Sequence, residues 1–160
     1  MMEHLLISAC LLGARCRYDG QSKPLLQLVA LSEQFDLVPV CPEQLGGLPT
    51  PRVPAERTED RVITKDGRDV TAEYRRGAEQ ALHLARVCGC RIALLKERSP
   101  SCGNGEIYDG NFSGKLEKGD GVTAELLREN GIRVYGESEI ERLLEEFEPC
   151  GTAPVPMFEP

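Results

Sequence analysis

Three cysteines stand where the chain leaves apolar runs: Cys10 follows "LLISA", Cys41 follows "DLVPV", and Cys102 lies seven residues beyond "RIALL". Thiolates ligate soft metals or act as nucleophiles. Each of the three is followed by loop residues in place of further core: Gly13 and Tyr18-Asp19-Gly20 after Cys10, Pro42 and Glu43 after Cys41, Gly103 after Cys102. Structural zinc takes four ligands, typically in paired Cys-x-x-Cys spacings, and neither condition is met. A 4Fe-4S cluster is usually held by four cysteines, and three would leave one iron open to a ligand. Cys16, separated from Cys10 by five residues, is either a fourth ligand that closes such a cluster or a spare thiol lining the site; we read it as a non-ligand.

Seven cysteines cannot all pair, and a reducing compartment argues against disulfides, which leaves metal binding, nucleophilic chemistry or inert burial. Free cysteine is often a small apolar filler. Cys88 and Cys90 read that way, the first completing a helix face and the second preceding a strand at the opposite sheet edge; Cys150 lies in the tail and is assigned no role.

The elements that must position the thiols alternate. Apolar runs at 4–9, 35–40, 91–95 and 132–135 suit buried strands. Between them, Leu25, Leu28, Val29 and Ser32 predict a helix after a Ser22 cap, and Tyr74, Ala78, Ala81, Ala85 and Cys88 mark one face of a helix ending near Gly89. A third helix is predicted from Thr123 to Asn130, and a fourth opens with Ser138 and Glu141 at capping-box spacing. This order predicts an α/β fold, a single Rossmann-like three-layer domain over 1–147 with a mainly parallel sheet, followed by an extended or disordered tail over 148–160. In such sheets ligands bind outside the carboxyl ends of the strands, where all three thiols are expected to converge. Two segments break the alternation: 42–70, with a hairpin expected to turn at Asp66-Gly67, and the Gly-rich 96–122. Loops of this length tend to be binding loops or lids.

Composition narrows the partners. A chain of 160 residues with 41% hydrophobic content fits one core. A net charge of −7 offers no basic face to a phosphate backbone, so a small molecule is expected and DNA is not. No run approaches the ~20 apolar residues of a membrane span, and the N-terminus is too short and too quickly polar for a secretory signal, so a cytoplasmic protein is expected.

The segments "SACLLGARCRYDG", "VCPEQLGGLPTPR", "KDGRDVT", "LLKERSPSCG", "IYDGNFSG" and "GDGVTAELL" resemble, in that order, the bacterial 2-thiouracil desulfidase family, over about residues 3–147. The resemblance implies a Rossmann-like domain with an oxygen-sensitive 4Fe-4S cluster on Cys10, Cys41 and Cys102, and an active-site pair of Glu43 and Ser101. It implies non-redox desulfuration of a thiolated pyrimidine, 2-thiouracil giving uracil and hydrogen sulfide. On this reading the thione sulfur binds the open iron and Glu43 takes a proton from the attacking water. Ser101 orients that water, hydrogen-bonds the substrate ring or relays a proton, or is a plain turn residue after Pro100. Ser8, Arg52, Glu56 and Lys96 are candidates for the substrate's polar edges, with loop ion pairs the commoner role for the three charged residues. "GNGEIYDGNFSG" is expected to be a flexible flap, and His4 and His83 are read as structural or surface residues. The rival readings are a thiol or mononuclear-metal hydrolase or sulfur-transfer protein, and a cluster-bearing sensor without turnover.

Overall fold

The computed structural model describes residues 2–148; the tail expected over 148–160 lies, but for Glu148, outside the described residues. Strands β1 (Glu3–Ser8), β2 (Phe35–Val40), β5 (Ile92–Leu95) and β8 (Arg133–Gly136) form one parallel sheet in the order β2, β1, β5, β8. The remaining elements are α1 (Leu28–Gln34), α2 (Pro42–Leu45), the antiparallel pair β3 (Ala55–Thr58) and β4 (Arg61–Thr64), α3 (Thr71–Val87), the antiparallel pair β6 (Glu106–Tyr108) and β7 (Leu116–Lys118), α4 (Val122–Glu129) and α5 (Ile140–Glu146).

The continuous apolar runs follow from burial on both faces. Leu5, Ile7, Ile92 and Leu94 pack to one side with Leu31 of α1 and Leu143 of α5. Leu6, Ala93 and Leu95 pack to the other with Leu82 and Ala85 of α3 and Leu127 of α4. The three-layer α/β expectation is borne out. The chain steps from β1 outward to β2 and then returns past β1 to β5, so the strand order reverses between β1 and β5. At such a reversal the connecting loops diverge and leave a crevice.

Four local expectations are corrected. The first helix starts at Leu28 rather than after Ser22. Residues 21–27 are irregular because Pro24 lacks a donor and the amides of Lys23 and Leu25 bond to the carbonyls of Cys10 (2.9 Å) and Leu11 (3.0 Å). Val29 is accordingly exposed and Leu31 takes the core position. The 42–70 hairpin turns at Glu59-Asp60; Asp66-Gly67 makes a second, smaller turn, with Gly67 in the left-handed region at φ 88°. Ser138 does not cap the last helix, because its N–H donates to Glu97 Oε1 at 2.7 Å and its hydroxyl bonds the same oxygen. Finally, 96–122 contains the β6–β7 hairpin, which the Gly-rich sequence conceals.

Candidate functional site

Each thiol reaches the sheet edge by its own device. After β1 the chain tightens into a 3-10 turn, Ala9–Leu12, ended by Gly13 at φ 100°, which sets Cys10 at the strand end. After β2, Cys41 precedes Pro42, whose fixed φ starts α2. That short helix crosses α3 through paired glycines: a Cβ on Gly77 would stand 1.9 Å from the Pro42 carbonyl oxygen, and one on Gly46 would stand 2.0 Å from that of Glu73. The loop after β5 is held by the start of α4. The N–H groups of Val122 and Thr123 donate to the carbonyls of Pro100 (2.9 Å) and Ser101 (2.8 Å), so donors that a helix start leaves unpaired are satisfied by the Cys102 loop. Gly121 permits the approach, since a Cβ there would lie 2.4 Å from the Ser101 carbonyl.

The result is a cavity of about 620 Å³ at the carboxyl ends of β1, β2 and β5, lined by Cys10, Cys16, Cys41 and Cys102. The neighbouring Cys10 thiol raises the Cys16 thiol above its ordinary range, and the Cys41 thiol points at the Cys16 carbonyl, 3.7 Å away. Hydrogen bonding to Cys16, then burial, pushes the Cys41 thiol above the ordinary thiol range. Burial pushes Cys102 up to about 12, while hydrogen bonds from Ser8 and Ser101 pull the other way. The Cys41 and Cys102 thiols are protonated at neutral pH, and a metal centre would have to displace their protons.

The donor set fits an iron-sulfur cluster: soft sulfur ligands from three separate segments, in a part-enclosed wall, beside a carboxylate. Among the described residues no three His, Cys, Asp or Glu side chains are gathered tightly enough for a single ion.

Glu43, on the first turn of α2, is fixed by Arg52: its Oε2 accepts from Nε at 2.7 Å and lies 2.5 Å from Nη2. The same guanidinium donates to the Cys16 carbonyl at 2.8 Å, and the Arg52 amide donates to the Tyr18 carbonyl, also at 2.8 Å. Arg52 therefore ties the first loop to α2 and is engaged within the protein. Among the described residues Glu43 Oε1 has only a long contact, 3.5 Å to the Ser99 hydroxyl.

The remaining predicted residues fall as follows. Ser8 is buried on the cavity wall, its hydroxyl accepting the Lys96 amide at 2.9 Å and meeting Cys102. Lys96 pairs with Glu137 at 2.5 Å. Glu56 Oε1 accepts the N–H groups of Gly110 (3.0 Å) and Phe112 (3.1 Å). Ser101 is 1% exposed, beside Cys102, with its hydroxyl 2.9 Å from that of buried Thr123, and is not among the cavity-lining residues.

Two residues escaped the sequence reading. Tyr74, read as helix core, lines the cavity; burial, reinforced by the Glu43 charge, holds its phenol well above the ordinary range. Its place in a regular apolar helix face hid this. Ser99 accepts the amides of Ser101 and Cys102, each at 3.1 Å, and so shapes the turn under the third thiol. Its sequence signal was a serine just before Pro100, three residues ahead of Cys102.

Comparison with known proteins points the same way. The profile of the 2-thiouracil desulfurase family matches residues 5–139. The uncharacterised protein YbbK of Bacillus subtilis (strain 168) is 43% identical over 150 residues, 88% of this chain and 99% of its own. A solved structure described as a [4Fe-4S]-dependent thiouracil desulfidase, TudS, superposes with a TM-score of 0.86 at 51% identity, covering 90% of this chain and 97% of that one.

Proposed function

The chain belongs to the 2-thiouracil desulfurase family, and we propose that it is a desulfidase that removes sulfur hydrolytically from a thiolated pyrimidine, 2-thiouracil giving uracil and hydrogen sulfide, with a 4Fe-4S cluster held by Cys10, Cys41 and Cys102. The observation that carries the reading is that thiols from three separate strand ends line one cavity with a carboxylate locked in place by an arginine. Cys10, Cys41 and Cys102 would hold such a cluster, which would supply a Lewis acid soft enough for a thione sulfur.

The protein's own part is to place water and move protons. With Oε2 committed to Arg52, Glu43 keeps Oε1 available to take a proton from a water attacking C2. As the C2–O bond forms and the C2–S bond breaks, the two protons of that water depart with sulfur as hydrogen sulfide. Carbon keeps its oxidation level, so no electron donor is required. Ser99 lies against Oε1 and Tyr74 lines the same cavity wall, and together they shape the carboxylate's surroundings. Ser101 serves by steadying Cys102 and the start of α4 through Thr123. Cys16 lines the wall as a non-ligand.

The test is Glu43→Gln in anaerobically reconstituted protein. Visible cluster absorbance stays at the wild-type level and sulfide release from 2-thiouracil stops; undiminished turnover removes Glu43 from the role.

A further inference from the structure

Opposite chemistry lies on the β6–β7 hairpin, where Tyr108 and Phe112 line the same cavity as the thiols. We propose that these two rings form an aromatic wall on which the pyrimidine stacks, and that Glu56 is the positioning residue that holds the wall in place. The inference rests on the reading of the site as one for a thiolated pyrimidine and adds how the ring itself is gripped.

The loop is built to present Phe112. Three successive backbone amides end on carboxylates: those of Gly110 and Phe112 on Glu56 Oε1, at 3.0 and 3.1 Å, and that of Asn111 on Asp109 Oδ1 at 2.9 Å. Charge-assisted bonds of this kind are stronger than neutral ones. Gly110 lies flat against β3, where a Cβ would come within 1.9 Å of Thr58 Oγ1, so the loop has one seat on its neighbour. Phe112 has φ 54°, a left-handed conformation that bulky residues rarely adopt. A loop that only had to reverse direction would place glycine there. Strain of this sort persists where the surroundings over-determine it and where a site needs it.

β3 itself is fastened to the far side of the site. Arg57 donates to the Asp120 carbonyl at 2.7 Å and pairs with Glu125 of α4 at 2.5 Å, the helix whose start carries the Cys102 loop. Glu56 and Arg57, adjacent on one strand, thus set the aromatic wall and the thiol wall in fixed relation. Glu56 acts through Phe112 and not on the substrate.

An aromatic face binds a flat ring whether its exocyclic atom is sulfur or oxygen, so uracil, the product, is the probe. Its dissociation constant is measured by calorimetry on cluster-loaded wild-type and variant proteins, with visible absorbance confirming the cluster. Phe112→Ala and Phe112→Leu raise it about 10- to 100-fold, the range of one base–aromatic stack. Phe112→Tyr, which keeps the ring, stays close to wild type. Glu56→Ala matches Phe112→Ala and adds nothing to it in the double variant, whereas Glu56→Gln, which retains an acceptor oxygen, stays near wild type. In turnover, Phe112→Ala raises KM and leaves kcat unchanged, as expected for an interaction equal in ground and transition states. Wild-type uracil affinity in Phe112→Ala, or additive effects of Glu56→Ala and Phe112→Ala, overturns the proposal. If the wild-type protein releases no sulfide from 2-thiouracil, the reading of the site fails instead.

Discussion

Arg52 decides what Glu43 can do. Its guanidinium holds one carboxylate oxygen through two nitrogens and the Cys16 carbonyl through one, so Glu43 and the first thiol loop share a single clamp. Arg52→Ala should lower kcat about 100-fold, the scale of a misplacement near 1 Å, without loss of the visible cluster absorbance. Arg52→Lys keeps the charge but not the fork and should recover only part of the rate. A wild-type kcat in Arg52→Ala, measured as sulfide release, would show that Glu43 is placed by something else. The thiols give a pH prediction. Because Cys102 is pushed up to about 12 and Cys41 is also raised, the thiolate forms that iron would require are scarce at neutral pH in cluster-free protein. Cluster assembly from iron and sulfide should therefore release protons and strengthen as the buffer goes from neutral to alkaline, followed by visible absorbance. Assembly that weakens with rising pH would contradict this.

At the scale of elements, the site depends on two helices meeting without side chains between them. Gly77→Ala would drive a methyl into the Pro42 carbonyl and push α2 off α3, costing about 1–3 kcal/mol in urea unfolding and moving Cys41 and Glu43 together. The start of α3 makes a separate prediction. Asp69 Oδ1 accepts the Thr71 amide at 2.9 Å and its hydroxyl at 2.6 Å, while Oδ2 pairs with Arg61 at 2.7 Å; the Thr71 hydroxyl and Arg61 together hold the carboxyl below its ordinary range. A depressed carboxyl stabilises the fold above the ordinary carboxylate pKa of about 4 and loses that contribution as pH falls further. Asp69→Asn should therefore narrow the stability difference between neutral and acid pH, read from urea midpoints at the two. The helices and parallel strands were legible because burial on one stripe or both faces leaves a period. The β6–β7 hairpin was not, because its strands are three residues each and its order comes from Glu56 and Asp109 binding backbone, which leaves no pattern of apolar residues. Ser138 misled for a related reason: its spacing to Glu141 fits a cap, yet Glu97 from another loop takes its N–H.

Across the whole molecule, the sheet converts distance in sequence into proximity. Cys10, Cys41 and Cys102 share a wall because the strands preceding them run parallel and end at one edge of the sheet, around the reversal between β1 and β5. That much followed from strand ends and was legible. Charge was less so: a chain of net charge −7 surrounds its cavity with Arg17, Lys23, Arg52, Lys65, Lys96 and Arg98 against three carboxylates, Glu43, Glu56 and Glu97, and a net count does not record where charges lie. Leu94, fully buried in the central strand, tests the scaffold apart from the chemistry: Leu94→Ala should cost about 2–5 kcal/mol of stability while folded protein keeps its turnover. No helix of the described residues is long and apolar enough to cross a membrane. The central claim is that three sulfurs, and not Cys16, hold a cluster at this edge. Its most direct test is iron content and visible absorbance after anaerobic reconstitution of the wild type and of the single alanine variants of Cys10, Cys16, Cys41 and Cys102. The account predicts about four irons per chain in the wild type and in Cys16→Ala, with loss in each of the other three; a stable, full cluster in any of those three, or its loss in Cys16→Ala alone, would contradict it.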